Sequence, residues 1–147
     1  MLRALANEDV PWPAVHIVQV DERAAPDEHT DRNLTHIREC LHGAPFRPDQ
    51  LHAMPVNEPD LNVAAANYAR VLRQIAGAPP VLDVGHLGMG TDGHTASLVT
   101  GDAVLDVQDA DVAPTGVYQG RRRLTLTYPI LNRARHDFRS RSRAAVY

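Results

Sequence analysis

The chain has one cysteine, no lysine and no long apolar run, and each shortage removes a class of protein. Among 147 residues the single thiol is Cys40, which leaves no intrachain disulfide framework and agrees with a reducing compartment. No window approaches the ~18 apolar residues of a membrane-spanning helix, and the N-terminus lacks a basic-then-apolar secretory pattern. A cytoplasmic location without membrane attachment is the resulting expectation. All 15 basic residues are arginines, set against 18 acidic ones, for a formal net charge of −3 and a pI near 6.2. That balance lacks the strong positive field of a dedicated nucleic-acid binder, so no nucleic-acid partner is expected. A small anionic ligand needs only a local basic site. The 8 histidines make no His-Glu-x-x-His or Cys/His zinc spacing, and no metal is expected.

What the chain does have is Gly88-Met89-Gly90-Thr91-Asp92-Gly93-His94-Thr95-Ala96-Ser97-Leu98. It follows Val81–Leu87, a short run rich in branched residues between Pro79-Pro80 and Gly88 that predicts a buried strand. Gly88, Gly90 and Gly93 permit positive φ and close backbone approach to a ligand, so their N–H groups are expected to line a site. A helix starting near Thr95 would add its unpaired N–H groups and dipole, favouring an anion or a developing oxyanion. His94 would stand beside that anion, and an imidazole, with an ordinary pKa of about 6.5, can take a proton from water near neutral pH. Asp92 is placed either to orient that ring or to close its own turn. The Gly-x-Gly-x-x-Gly spacing also matches a dinucleotide-binding turn, but Gly101 to Pro114 does not read as the second strand and acidic residue that such a unit requires.

Upstream, Val15–Val20 predicts a strand that delivers Asp21-Glu22-Arg23 at its C-terminal end. Ligand sites in open parallel α/β sheets gather outside the carboxyl ends of strands, so this segment and the glycine-rich loop are expected to meet. Helices are predicted at residues 30–41 and 62–76, the second stopped by Gly77 and Pro79-Pro80. Cys40 falls on the first, where Leu34, Ile37 and Leu41 have apolar-face spacing, and a buried inert thiol is the expectation. A later strand spans residues 123–128 and is ended by Pro129. Residues 101–120 support no single assignment, and Leu2–Glu8 reads as a helix end broken by Pro11 and Pro13. The run Arg121-Arg122-Arg123 is expected to be a solvated face, with a phosphate contact as the alternative.

The loop resembles the signature of the 6-phosphogluconolactonase family, in which a Leu-Gly-Met-Gly-x-Asp-Gly-His-Thr-Ala-Ser-Leu run carries the catalytic histidine. Val20-Asp21-Glu22-Arg23 with Pro26, His29 and Asn33, then His52–Val56, Ala64–Tyr68 and Arg123–Asn132, agree in order, so the resemblance covers about residues 2 to 135. It implies an α/β fold, a partial open parallel sheet with flanking helices like that of the sugar-phosphate isomerases and lactonases. It also implies hydrolysis of 6-phospho-D-glucono-1,5-lactone, with His94 as general base and Asp92 beside it as the catalytic pair. Arg23, Asp21, Glu22, Gly88, Gly90, Gly93 and Thr95 then form the substrate-binding set, with no cofactor and no metal, because a lactone carbonyl is already electrophilic. A homo-oligomer is compatible with this reading.

Related glucosamine-6-phosphate deaminases share the Asp-Gly-His triplet, but a glutamate works where Val99 stands here, and tyrosine follows their Asp-Glu pair where Arg23 stands. Relative to the lactonase pattern the chain is expected to lack the opening strand with its phosphate loop and the closing strand and helices. Residues 1–135 are read as an incomplete domain and residues 136–147 as a divergent basic tail, with the reading frame lost or the gene cut near Arg135. An inactive sugar-phosphate-binding fragment is therefore the rival from another class.

Overall fold

The computed structural model describes residues 2–141. In chain order it contains α1 (Leu2–Leu5), β1 (Ile17–Val18), β2 (Asp21–Arg23), α2 (Asn33–Cys40), β3 (Leu51–His52), α3 (Leu61–Ala76), β4 (Val84–Met89), β5 (Val112–Pro114), β6 (Arg123–Leu126), α4 (Tyr128–Leu131) and β7 (His136–Arg141). Short 3₁₀ turns at Trp12–Ala14, Pro48–Gln50 and Ala103–Asp106 join them.

The longest helix shows most plainly why its residues fold as they do. Leu61, Ala64, Ala65, Tyr68, Ala69 and Leu72 recur at three- and four-residue intervals, and all six are buried on one face of α3. Asp60 caps its start by accepting the Asn62 N–H at 2.8 Å, and Gly77, at φ +88, ends it. The buried face packs on β5 and joins Leu87, Leu98, Val112, Leu124, Leu126 and Ile130 in one core. Each aliphatic side chain fully withdrawn there, such as Leu72, Leu124 or Leu126, contributes about 1.5–3 kcal/mol. No described helix is long and apolar enough to cross a membrane.

The parallel pairing is divided between two short pairs, β1 with β3 and β4 with β7. The remaining strands form an antiparallel three-stranded sheet of order β2-β6-β5, with β2 falling in the chain between β1 and β3, and β5 and β6 between β4 and β7. Asp21-Glu22-Arg23 is thus strand β2 itself, paired residue by residue with Thr125, Leu124 and Arg123, where the sequence predicts a loop at a strand end. The antiparallel register places Arg23 directly opposite Arg123, on the same face of the sheet. Residues 101–120, unassigned from sequence, supply a 3₁₀ turn and β5. Strand β6 ends at Leu126, short of the expected residue 128, because Tyr128 opens α4 and Pro129 sits in its first turn, a position it favours. Residues 136–141, the start of the expected basic tail, form β7 alongside β4, and residues 142–147 lie outside the described residues.

Helix α2 starts at Asn33, later than expected, because its N-terminal cap comes from a distant residue. Arg32 at the cap position accepts nothing through its side chain. Instead the carboxylate of Glu22 accepts the N–H groups of Asn33 (2.8 Å) and Leu34 (2.9 Å). Cys40 is buried on this helix.

Candidate active site

Strand β4 runs into a tight turn that folds His94 back over its own glycine. The N–H of Gly90 bonds the His94 carbonyl at 2.8 Å, and that of Gly93 bonds the Gly90 carbonyl at 3.0 Å. These two amides close the turn, so they are not the free donors that the sequence reading assigns to Gly90 and Gly93. Their glycines are still required: a Cβ on Gly90 would collide with the His94 ring and lie 2.9 Å from Asp92 Oδ1, and Gly93 has φ +87. Gly88 contributes its carbonyl, which accepts the Thr95 hydroxyl at 2.9 Å.

No helix begins at Thr95. Thr95 pairs in isolated bridges with Met89 and Leu98, and Ala96 has a left-handed φ of +50 that a continuing helix excludes. The expected helix dipole is therefore absent. Ser97 turns inward instead, its hydroxyl donating to Asp21 Oδ2 at 2.6 Å and its N–H to Thr125 Oγ1 at 3.2 Å. Through that contact the glycine-rich loop and β2 meet, as the sequence predicts, although 76 residues separate the two partners.

Asp92 Oδ1 lies 2.5 Å from His94 Nδ1 and accepts the His94 N–H at 3.3 Å. Chiefly the hydrogen bond from His94 holds the Asp92 pKa down at about 2. An ionised carboxylate only accepts, so Nδ1 carries the hydrogen of this bond and Nε2 is the ring nitrogen left for other work. The Asp92 side chain is 43% exposed and that of His94 19%. The sequence reading does not single out Tyr118, whose hydroxyl donates to Asp92 Oδ2 at 3.0 Å while its ring meets His94 edge to face at 5.4 Å.

A cavity of about 240 Å³ is lined by Arg23, Thr30, Asp31, His36, Gln119, Arg121 and Arg123, and its Arg123 connects to the pair through the Tyr118 ring. Arg23 is held by the Asp31 carbonyl (2.8 Å) and Asn33 Oδ1 (3.1 Å). Arg121 pairs with Asp31 at 2.8 Å. Arg123, expected to be solvated, is only 3% exposed. Its guanidinium bonds Gln119 Oε1 at 3.2 Å and sits 5.0 Å from the Tyr118 ring centroid, and its buried Nε has no hydrogen-bond partner. Burial, then repulsion from Arg23, lowers its pKa from the ordinary arginine value. Of its neighbours in sequence Arg122 is exposed, whereas Arg121 is half-buried in its pair with Asp31.

Asp21 and Glu22 face away from open solvent. Asp21 accepts from Ser97 and from Asn33 Nδ2 (3.1 Å), and burial raises its pKa against the pull of Ser97 and the two arginines. Glu22 is 0% exposed. Its oxygens accept from Gln19 Nε2, Arg23 N, Asn33 N and Leu34 N at 2.8–2.9 Å, and Arg32 Nε lies 3.2 Å away as an ion pair. Glu22, expected in the substrate-binding set, presents no atom to a ligand; it anchors α2. Among the described residues no group of three or more His, Cys, Asp or Glu side chains is arranged to hold a metal ion.

A sequence model of the family described as glucosamine-6-phosphate isomerases/6-phosphogluconolactonase matches residues 1–138. A 6-phosphogluconolactonase of Nostoc sp. is 34% identical over 91% of this chain and 58% of its own length. One of Mycobacterium tuberculosis is 35% identical over 92% of this chain and 60% of its own. The crystal structure of a 6-phosphogluconolactonase from Thermotoga maritima superposes with a TM-score of 0.82 at 28% identity, covering 94% of this chain and 62% of that one. The chain thus spans about three fifths of the length of the relatives it matches.

Proposed function

The chain belongs to the glucosamine-6-phosphate isomerase/6-phosphogluconolactonase family, and from that premise we propose that it hydrolyses 6-phospho-D-glucono-1,5-lactone to 6-phosphogluconate in the oxidative pentose phosphate pathway. The observation that carries this reading is the Asp92–His94 pair, joined at 2.5 Å through Nδ1 and linked by Tyr118 to Arg123, one of three arginines lining a cavity. The pair supplies a base with one engaged and one available nitrogen, and the arginines supply donors for a phosphate.

In this scheme His94 Nε2 takes a proton from water as the water oxygen bonds to the lactone carbonyl carbon. The bond from that carbon to the ring oxygen then breaks, and His94 returns the proton to the departing oxygen, which becomes a hydroxyl. Asp92 fixes the ring and stabilises the imidazolium between the two transfers. Arg23 is the phosphate contact, with Arg123 and Arg121 on the same cavity wall. Asp21, Glu22, Gly88, Gly90, Gly93 and Thr95 act by shaping β2 and the loop that present Arg23 and His94. No cofactor or metal takes part, and the cytoplasm is the compartment.

Val99, where the deaminases have a proton-moving glutamate, favours the lactone over an amino sugar. The purified protein is expected to open the phosphorylated lactone faster than unphosphorylated glucono-1,5-lactone and to release no ammonia from glucosamine 6-phosphate. Ammonia release would transfer the chain to the deaminase branch.

A further inference from the structure

The β5–β6 hairpin reaches across to the loop through one side chain. Tyr118 lies 26 positions beyond Asp92, yet its hydroxyl is 3.0 Å from Asp92 Oδ2. Left-handed backbone at Gln119 (φ +51) and Gly120 (φ +77) reverses the chain here, and Tyr118 and Arg121 exchange backbone hydrogen bonds across the turn. Below the ring, buried Arg123 on β6 holds the hairpin tip through Gln119 and through the Tyr118 face. The support therefore runs from β6 through Arg123 and Tyr118 to Asp92 and then to His94.

Asp92 needs such support. It sits on a turn with a half-exposed side chain, and a carboxylate held from one side only is free to rotate away and bond water instead. With Tyr118 on Oδ2 and His94 on Oδ1, both oxygens are committed. We propose that Tyr118 is a positioning residue: its hydroxyl clamps the Asp92 carboxylate, which keeps the neutral His94 ring in the form with hydrogen on Nδ1 and Nε2 free to act as base. Its role in turnover rests on the lactonase reading, whereas its effect on the tautomer is a property of the folded chain. The hydrogen bond to Asp92 also raises the Tyr118 pKa above the ordinary phenol value, so the hydroxyl stays a donor.

The test is Tyr118→Phe, which keeps the ring and removes the donor. Nitrogen-15 shifts of His94 in the wild-type protein are expected to report the Nδ1–H form, and the variant a mixture shifted toward Nε2–H. The kcat for lactone hydrolysis is expected to fall about fivefold to tenfold, the scale of one modest hydrogen bond, with KM changed less than about twofold. In an Asp92→Ala background, Tyr118→Phe is expected to cause no further loss, because the clamp has nothing left to hold. A wild-type tautomer in Tyr118→Phe, or a loss that simply multiplies in the Asp92→Ala background, would overturn the proposal. A protein that turns over no lactone yet shows the Tyr118-dependent tautomer would uphold the clamp and refute the lactonase reading, so the two failures are distinguishable.

Discussion

Asp92 works at the residue scale as the hinge between charge and geometry, since it accepts from His94 twice and from Tyr118 once. Its pKa, held at about 2 against an ordinary 3.8, makes a direct prediction. A carboxylate depressed in the folded state stabilises that state above its unfolded pKa, and the contribution disappears as pH falls toward the folded value. The Asp92 carboxyl carbon, followed by NMR in folded protein, is therefore expected to titrate with a midpoint near 2; a midpoint near 4 would mean the His94 bond is not made in solution. His94 and Asp92 are singled out in sequence by local spacing and chemistry, and Arg23 and Asp21 by the resemblance their segment carries. Tyr118 and Ser97 are not, because their partners Asp92 and Asp21 lie 26 and 76 positions away, and Arg123 is not, because its burial is set by tertiary packing rather than by its arginine neighbours.

At the scale of elements, Glu22 joins β2 to α2 with no solvent contact. Removing it leaves two helix N–H groups without their acceptor and takes the buried ion-pair partner from Arg32 Nε, so Glu22→Ala is expected to cost about 3–5 kcal/mol, measured by urea unfolding. A loss below about 1 kcal/mol would show that water replaces the carboxylate and that α2 does not depend on it. Strand β4 is readable from a run of branched residues, although it starts at Val84 rather than Val81 and is only partly buried, with Val84 exposed, and helix α3 is readable from periodicity and its flanking glycine. The start of α2 is not, since its cap comes from β2 and no residue near Arg32 announces it. The expected helix after His94 fails for a related reason: Ser97 bonds to Asp21 and Thr125 across the sheet, and those contacts replace the helical turn.

Across the whole molecule, acid is expected to weaken the fold in a definite direction. Asp31, Asp49, Asp60 and Asp92 are all held below the ordinary carboxylate value by hydrogen bonds. Their stabilisation is present above about pH 4 and lost as pH falls through the folded values, so Tm is expected to drop between about pH 4 and 2. Asp21 runs the other way, because burial raises its pKa and protonation relieves the buried charge; Asp21→Asn is expected to steepen the drop. A Tm flat across that range would contradict these assignments. The mixed α/β architecture is legible in sequence, whereas the division of its strands into two parallel pairs and an antiparallel three is a tertiary outcome. The central claim joins that architecture to chemistry, that His94 in this chain opens a phosphorylated lactone. Its most direct test is the rate of 6-phospho-D-glucono-1,5-lactone hydrolysis by the purified protein above the spontaneous rate, with His94→Ala measured in parallel. A catalysed rate that His94→Ala reduces about 10²–10⁴-fold is expected; a folded wild-type protein no faster than the spontaneous reaction, or a variant as fast as wild type, would overturn the assignment.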